Sequence, residues 1–116
     1  MSGERLMAGV EPATDGARIV LSGDLNGSAD AVLAEAYAQA VAAIGAGGGE
    51  IVLDFGATGY INSTGIALVV RLLAEARRER REVRAVGLSD HYREIFRITR
   101  LSDFMTIEEP APTPAG

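Results

Sequence analysis

The sequence contains no cysteine and no lysine. Without cysteine there is no disulfide framework, no thiolate metal site and no thiol nucleophile. Without lysine there is no Schiff-base chemistry and no lysine to serve a phosphate-binding loop. All eleven basic residues are arginine. Aromatic residues make up only 5% of the chain, so aliphatic side chains must fill most of its core. No apolar run reaches the roughly 18–20 residues of a membrane-spanning helix. The opening MSGERLMAGVEP has neither the basic start nor the apolar stretch of a secretion signal. These absences point to a soluble cytoplasmic protein with no membrane association. The single histidine, His91, has no partners at metal-ligand spacing, so neither a metal nor a cofactor is implied.

What is present fits one small globular domain. The 116 residues are 47% hydrophobic and 23% charged, ordinary proportions for a single core and too few residues for a second one. A net charge of −5 argues against nucleic-acid binding, which depends on neutralising phosphates. The charge is unevenly spread. Residues 1–60 carry two arginines against eight acids, and residues 61–116 carry nine arginines against eight acids.

Hydrophobic periodicity gives the order β-β-α-β-α-β-α-β. A weak strand from Arg5 to Val10 and the turn EPATDG precede a strand from Ala17 to Leu21, and DLNGS follows as a loop. Ala29, Val32, Leu33, Ala36, Tyr37, Ala40, Val41 and Ile44 then form one face of a helix, with Ser28 as its predicted N-cap and Gly45 to Gly49 as its stop. EIVLDF is a buried strand and GATGYINSTG a loop. A second helix runs from about Thr64 to Arg81, with Ile66, Val69, Val70, Leu73 and Ala76 inward. A strand from Val83 to Leu88 leads to a third helix capped by Ser89, on which Tyr92, Ile95, Phe96 and Thr99 share a face. A short strand near Phe104 to Ile107 and a Pro-rich, disordered tail over 110–116 complete the chain. The predicted architecture is an α/β domain over residues 1–109, a small mixed sheet with its helices mainly on one face. The exposed faces of its helices are charged rather than broadly apolar, so a monomer is expected.

Few residues suggest catalysis. GAGGGE lies after a helix and before a strand, the reverse of a phosphate-cradling loop. An enzyme using Asp54, Ser63 and His91 would need three side chains from separate elements to converge. The informative segment is DFGATGYINSTG, at the carboxyl end of a strand where sites in α/β sheets tend to lie. Ser63 is predicted to cap the second helix there. A hydroxyl at such a position also accepts phosphorylation without harm to the helix, because the added charge meets free amides and the positive end of the dipole. A partner covering the same spot would meet new bulk and charge.

YINSTGIALVV resembles the signature of bacterial STAS domains of the anti-sigma-factor antagonist type. LSGDLNGSADAVL, IVLDF and GLSDHYREIFRITRLSDFMTI resemble further segments of that family, so the likeness covers roughly residues 17 to 108. The resemblance implies a STAS-type fold and a non-catalytic, partner-switching role. The unphosphorylated antagonist would bind an anti-sigma factor that is also a serine kinase of the histidine-kinase-like ATPase type. Phosphorylation at Ser63, with Thr64 as second choice, would release it, and a PP2C-type phosphatase would reset it. The implied partner surface is Asp24, Asn26, Tyr60, Asn62, Ser63, Thr64 and Gly65. The alternative is a STAS module that is never phosphorylated and serves as a ligand-binding or scaffold component of a sensory complex.

Two positions depart from the family pattern: Asn62 and Asn26 stand where it has aspartates. Losing those carboxylates implies either an altered kinase contact or less repulsion of a phosphate on Ser63. The cluster Arg77, Arg78, Arg80 and Arg81 reads either as a solvated helix end paired with Glu75, Glu79 and Glu82, or as a docking patch for an acidic partner.

Overall fold

The computed structural model describes residues 4–45 and 49–109. Five strands and three helices occur in the expected order: β1 (Met7–Ala13), β2 (Gly16–Leu25), α1 (Asp30–Ile44), β3 (Glu50–Ile61), α2 (Ser63–Arg78), β4 (Val83–Val86), α3 (Asp90–Ile98) and β5 (Thr106–Ile107). Single 3-10 turns, Gly27–Ala29 and Leu101–Asp103, precede α1 and follow α3. The strands form one sheet in the order β1-β2-β3-β4-β5. The β1–β2 hairpin is antiparallel, and every later pairing is parallel, as helical crossovers require.

Side-chain alternation sets which face is covered. Ala17, Ile19 and Leu21 of β2, Ile51, Leu53 and Phe55 of β3, and Val83 and Ala85 of β4 are buried. They meet Leu33, Ala36 and Ala40 of α1, Leu68, Val69, Leu72, Leu73 and Ala76 of α2, and Phe96 of α3 in one core. Phe55 and Phe96 pack edge to face, 5.7 Å between centroids, an arrangement aromatic pairs favour. On the other face the half-buried alternate residues are joined by ion pairs: Arg18 with Asp54 at 2.7 Å, and Arg84 with Glu50 at 3.2 Å.

Several boundaries differ from the sequence expectation. The first strand begins and ends later, and the turn has shrunk to Thr14 and Asp15 because the hairpin pairs through Ala13 and Gly16. Strands β2 and β3 both run well past their apolar runs. Ser22 through Leu25 pair with Ala57 through Ile61 across two register shifts, so GATGY is strand rather than loop. Composition marks those glycines as a turn, but they fall at the two register shifts of a strand whose other residues pair with β2. Two other elements are shorter than expected: β4 ends at Val86 and β5 holds only Thr106 and Ile107.

The helix termini also shift. Helix α1 has Ala29 rather than Ser28 at its N-cap, because Asn26 starts the preceding 3-10 turn. Gly45, at φ +80°, ends α1 as expected. Helix α2 begins at Ser63 and ends at Arg78, short of Arg81, and Val70 is exposed while Leu68 and Leu72 take inward positions. Ser89 caps α3 as expected, accepting from the Tyr92 amide at 3.3 Å. Residues 46–48 and the tail 110–116 lie outside the described residues.

Candidate functional site

The ends of β2 and β3 lie side by side, and each passes directly into a helical turn. At the junction the Asn62 amide donates to the Leu25 carbonyl at 3.2 Å. Asn26 and Asn62 then do the same job on parallel elements. The Oδ1 of Asn26 accepts from the Ser28 amide at 3.0 Å and from the Ser28 hydroxyl at 2.6 Å. The Oδ1 of Asn62 accepts from the Gly65 amide at 2.8 Å, and its backbone carbonyl accepts from Ile66 at 2.9 Å. Asparagine and aspartate are equivalent caps, so the two departures from the family pattern retain the local architecture and remove only charge.

Ser63 is therefore not the N-cap. It is the first residue of α2, exposed, with Asn62 capping the helix one position earlier. With Gly65 and Ile66 bonded to Asn62, Ser63 and Thr64 carry the first-turn amides that helix geometry leaves without an intrahelical partner. Thr64 is exposed and packs by its methyl group close to Gly27, where a Cβ would come within 3.2 Å. Gly65 is buried, and a Cβ there would fall 2.0 Å from the Leu25 carbonyl oxygen. Only glycine lets α2 start this close to the end of β2.

Tyr60 is 54% exposed beside this junction. Asp24, by contrast, is only 4% exposed. Its amide donates to the Glu4 carbonyl at 3.0 Å and it forms an isolated parallel bridge with Arg5, so it anchors the N-terminal segment beneath the loop. Among the sequence-selected residues, Asn26, Tyr60, Asn62, Ser63 and Thr64 reach the surface together, while Asp24 and Gly65 support them from inside.

Three features escaped the sequence reading. The Tyr92 hydroxyl accepts from the Ile61 amide at 3.0 Å and ties α3 to the last residue of β3, immediately before Asn62. A half-buried tyrosine needs a partner for its hydroxyl, which was the available signal. Arg93 is buried and donates to the Leu88 carbonyl at 2.7 Å. Its place three residues before Phe96 puts it on the apolar face. Finally, Ser63, Ala67, Val70 and Ala74 are all exposed. Their 4-3-4 spacing makes a stripe of small and apolar side chains leading away from Ser63 along α2.

The residues of the enzyme reading are not assembled. Both Asp54 oxygens are engaged, Oδ2 by Arg18 and Oδ1 by the Gly56 amide at 2.9 Å. Partial burial pushes the Asp54 carboxyl up, but these two hydrogen bonds outweigh it and hold the group below its ordinary range. His91 is exposed and stacks at an angle on Tyr92, 5.0 Å between centroids. Among the described residues no hydrogen bond joins any two of Asp54, Ser63 and His91, and no group of acids and histidine is arranged to hold a metal. Among the described residues no helix is long and apolar enough to cross a membrane.

Comparison with known proteins bears on the fold and the family. No curated protein sequence matches the chain. Among solved structures, an anti-sigma factor antagonist from Mycobacterium paratuberculosis is similar with a TM-score of 0.69 at 18% identity, over 92% of this chain and 88% of that one. The anti-sigma factor antagonist SpoIIAA in its unphosphorylated form is similar with a TM-score of 0.62 at 20% identity, over 90% and 89%. The phosphorylated form of SpoIIAA, a Bacillus cell fate determinant, gives 0.57 at 20% identity, over 88% and 91%. At these identities the likeness is one of fold. The family model described as Mlab, STAS domain matches residues 9–107, nearly the whole described structure, and the chain thus belongs to the STAS domain family.

Proposed function

We propose that this protein is an anti-sigma factor antagonist that switches partners through phosphorylation of Ser63, with Thr64 as the second-choice acceptor. One observation carries the reading: Asn62 caps α2, which leaves at the helix start an exposed serine hydroxyl that the fold does not use. The role is one of regulated binding rather than catalysis, exercised in the cytoplasm.

In the unphosphorylated state, Asn26, Tyr60, Asn62, Ser63 and Thr64 and the Ala67–Val70–Ala74 stripe form the partner surface. The partner is an anti-sigma factor acting as a serine kinase of the histidine-kinase-like ATPase type. Transfer of the ATP γ-phosphoryl group to the Ser63 Oγ releases ADP, and the hydroxyl proton leaves to a base on the kinase. The new group carries about −1.5 to −2 charges at neutral pH. Helix α2 accommodates it: its first turn has no acidic residue, and the dipole and free amides favour an anion there. A partner packed against small apolar side chains cannot, since it would bury an unpaired charge. A PP2C-type phosphatase hydrolyses the ester and restores the binding surface.

A second reading has its own observation. A groove of about 460 Å3 between α1 and α2, lined by Leu33, Tyr37, Val41, Leu68 and Leu72, offers a place for a small apolar ligand in an unphosphorylated scaffold module. The two readings separate by affinity for the partner kinase, measured by calorimetry. The switch requires Ser63→Asp to weaken binding while Ser63→Ala retains it; equal affinities for both variants favour the scaffold.

A further inference from the structure

The far end of α2, about 24 Å from Ser63 at 1.5 Å per residue, carries a second feature. There the helix end, the start of β4 and the turn after α3 enclose a cleft of about 490 Å3 whose lining includes Arg77, Arg80, Arg81, Phe104 and Met105. The arginines of this region divide into two groups. Arg78, outside the cleft, is paired with Glu75, and Arg81 is paired with Glu79 at 3.3 Å. Arg77 and Arg80, which line it, form no ion pair among the described residues. Of the two acids on the rim, Asp103 is held by Arg100 at 2.9 Å, which leaves Glu82 against both free guanidiniums.

Three further observations bear on what the cleft is for. Arg80 sits at φ +59°, the left-handed position that follows a helix end and favours glycine, with Arg81 closing the turn by donating to the Ala76 carbonyl at 2.8 Å. The helix dipole accounts for basic residues near this terminus, but not for a side chain at a residue where glycine is less strained. Phe104 is 52% exposed beneath the Arg77 guanidinium, 5.2 Å from ring to charge, so an aromatic face adjoins the cations. The Nη1 of Arg81 is buried without an acceptor, a donor the protein alone leaves unsatisfied.

We propose that this cleft docks an acidic peptide segment of a protein partner, with carboxylates on Arg77 and Arg80 and an apolar side chain against Phe104. Guanidinium forks match carboxylates in geometry and charge. The exposed ring suits a peptide that mixes acids with apolar residues, whereas a lone phosphate leaves that face uncovered. The carboxyl end of α2 also presents carbonyls rather than the free amides that cradle phosphate. The site stands apart from Ser63, so occupancy here is independent of the phosphorylation state.

The test is fluorescence anisotropy with a labelled octapeptide of alternating Glu and Leu, a Lys and Leu counterpart, and the intact protein. The Glu peptide binds and the Lys peptide does not. Arg80→Gly weakens binding about tenfold, the scale of one or two exposed ion pairs, while its melting temperature rises as strain is relieved, so unfolding cannot explain the loss. Arg78→Ala and Ser63→Asp bind like the parent protein. Absence of binding by the Glu peptide, or equal losses for Arg78→Ala and Arg80→Gly, overturns the proposal. So does displacement of the peptide by inorganic phosphate at matched ionic strength, which makes the occupant a phosphate.

Discussion

The Oδ1 atom of Asn62 accepts the amide hydrogen of Gly65 at 2.8 Å, and this bond frees Ser63 from any part in starting α2. Capping and the proposed phosphorylation thereby fall on adjacent residues. Asn62→Ala is expected to cost about 1 kcal/mol, a typical cap loss, and to lower the melting temperature by several degrees. Asn62→Asp leaves stability unchanged or slightly raised, since a carboxylate caps equally well and favours the dipole. Ser63→Ala stays within about 0.5 kcal/mol of the parent, as for an exposed residue without a bond to lose. Thermal or denaturant melts of the three variants check the ranking, and a larger loss for Ser63→Ala than for Asn62→Ala refutes it.

Gly65 fixes how closely α2 approaches β2. A methyl group there would lie 2.0 Å from the Leu25 carbonyl oxygen, and backbone rather than a flexible side chain must give way. Gly65→Ala is expected to destabilise by about 1–3 kcal/mol, the range for overpacking a tight contact. Because the shift opens the junction between Asn26 and Ser63, partner affinity falls with stability. A melting curve matching the parent's would show that the contact is looser than described.

Tyr92 supports the site from behind. Its hydroxyl accepts the Ile61 amide at 3.0 Å, and Tyr92→Phe leaves that amide without an acceptor at about 1–3 kcal/mol if water cannot replace it. Amide exchange at Ile61 and Asn62 should accelerate in the variant, while exchange in α1 tracks only the change in global stability. Unchanged protection at Ile61 would mean that another acceptor takes over.

The open face of the sheet supplies a pH dependence. The Asp54 carboxyl is held below its ordinary range, with Arg18 and the Gly56 amide outweighing partial burial. A depressed carboxyl stabilises the fold above its unfolded pKa of about 3.9 and loses that contribution as pH falls through the folded value. Arg18→Gln should therefore lower the melting temperature at neutral pH and do so less at acidic pH, once Asp54 has become protonated in both proteins. The pair is partly exposed, so solvent screens it and the neutral-pH loss is small. An equal loss at both pH values would assign the effect of Arg18 to packing.

Much of this architecture was legible in the sequence, for reasons that also explain the misses. Steps of three and four brought Leu33, Ala36, Tyr37 and Ala40 to one face of α1, and period alone suffices for that. The second half of β3 was not legible, because Gly56 and Gly59 mark a turn by composition and only the pairing of their neighbours Ala57, Thr58, Tyr60 and Ile61 with β2 makes the segment strand. The N-cap of α2 lies one residue from its expected place, at Asn62 rather than Ser63. In the run Asn62-Ser63-Thr64 every member is an acceptable cap, and the choice depends on the tertiary approach of Leu25, which Gly65 permits. Asp24 and Arg93 were obscured by their charge, since burial of either depends on partners distant in sequence or in irregular backbone.

The central claim is that Ser63 is a reversible phosphorylation site, and intact-mass analysis with peptide mapping of the protein isolated from its own cells tests it most directly. The account predicts one phosphoryl group on Ser63 whose occupancy changes with growth conditions. Protein that stays unmodified under every condition, or a phosphate mapping to neither Ser63 nor Thr64, would contradict it.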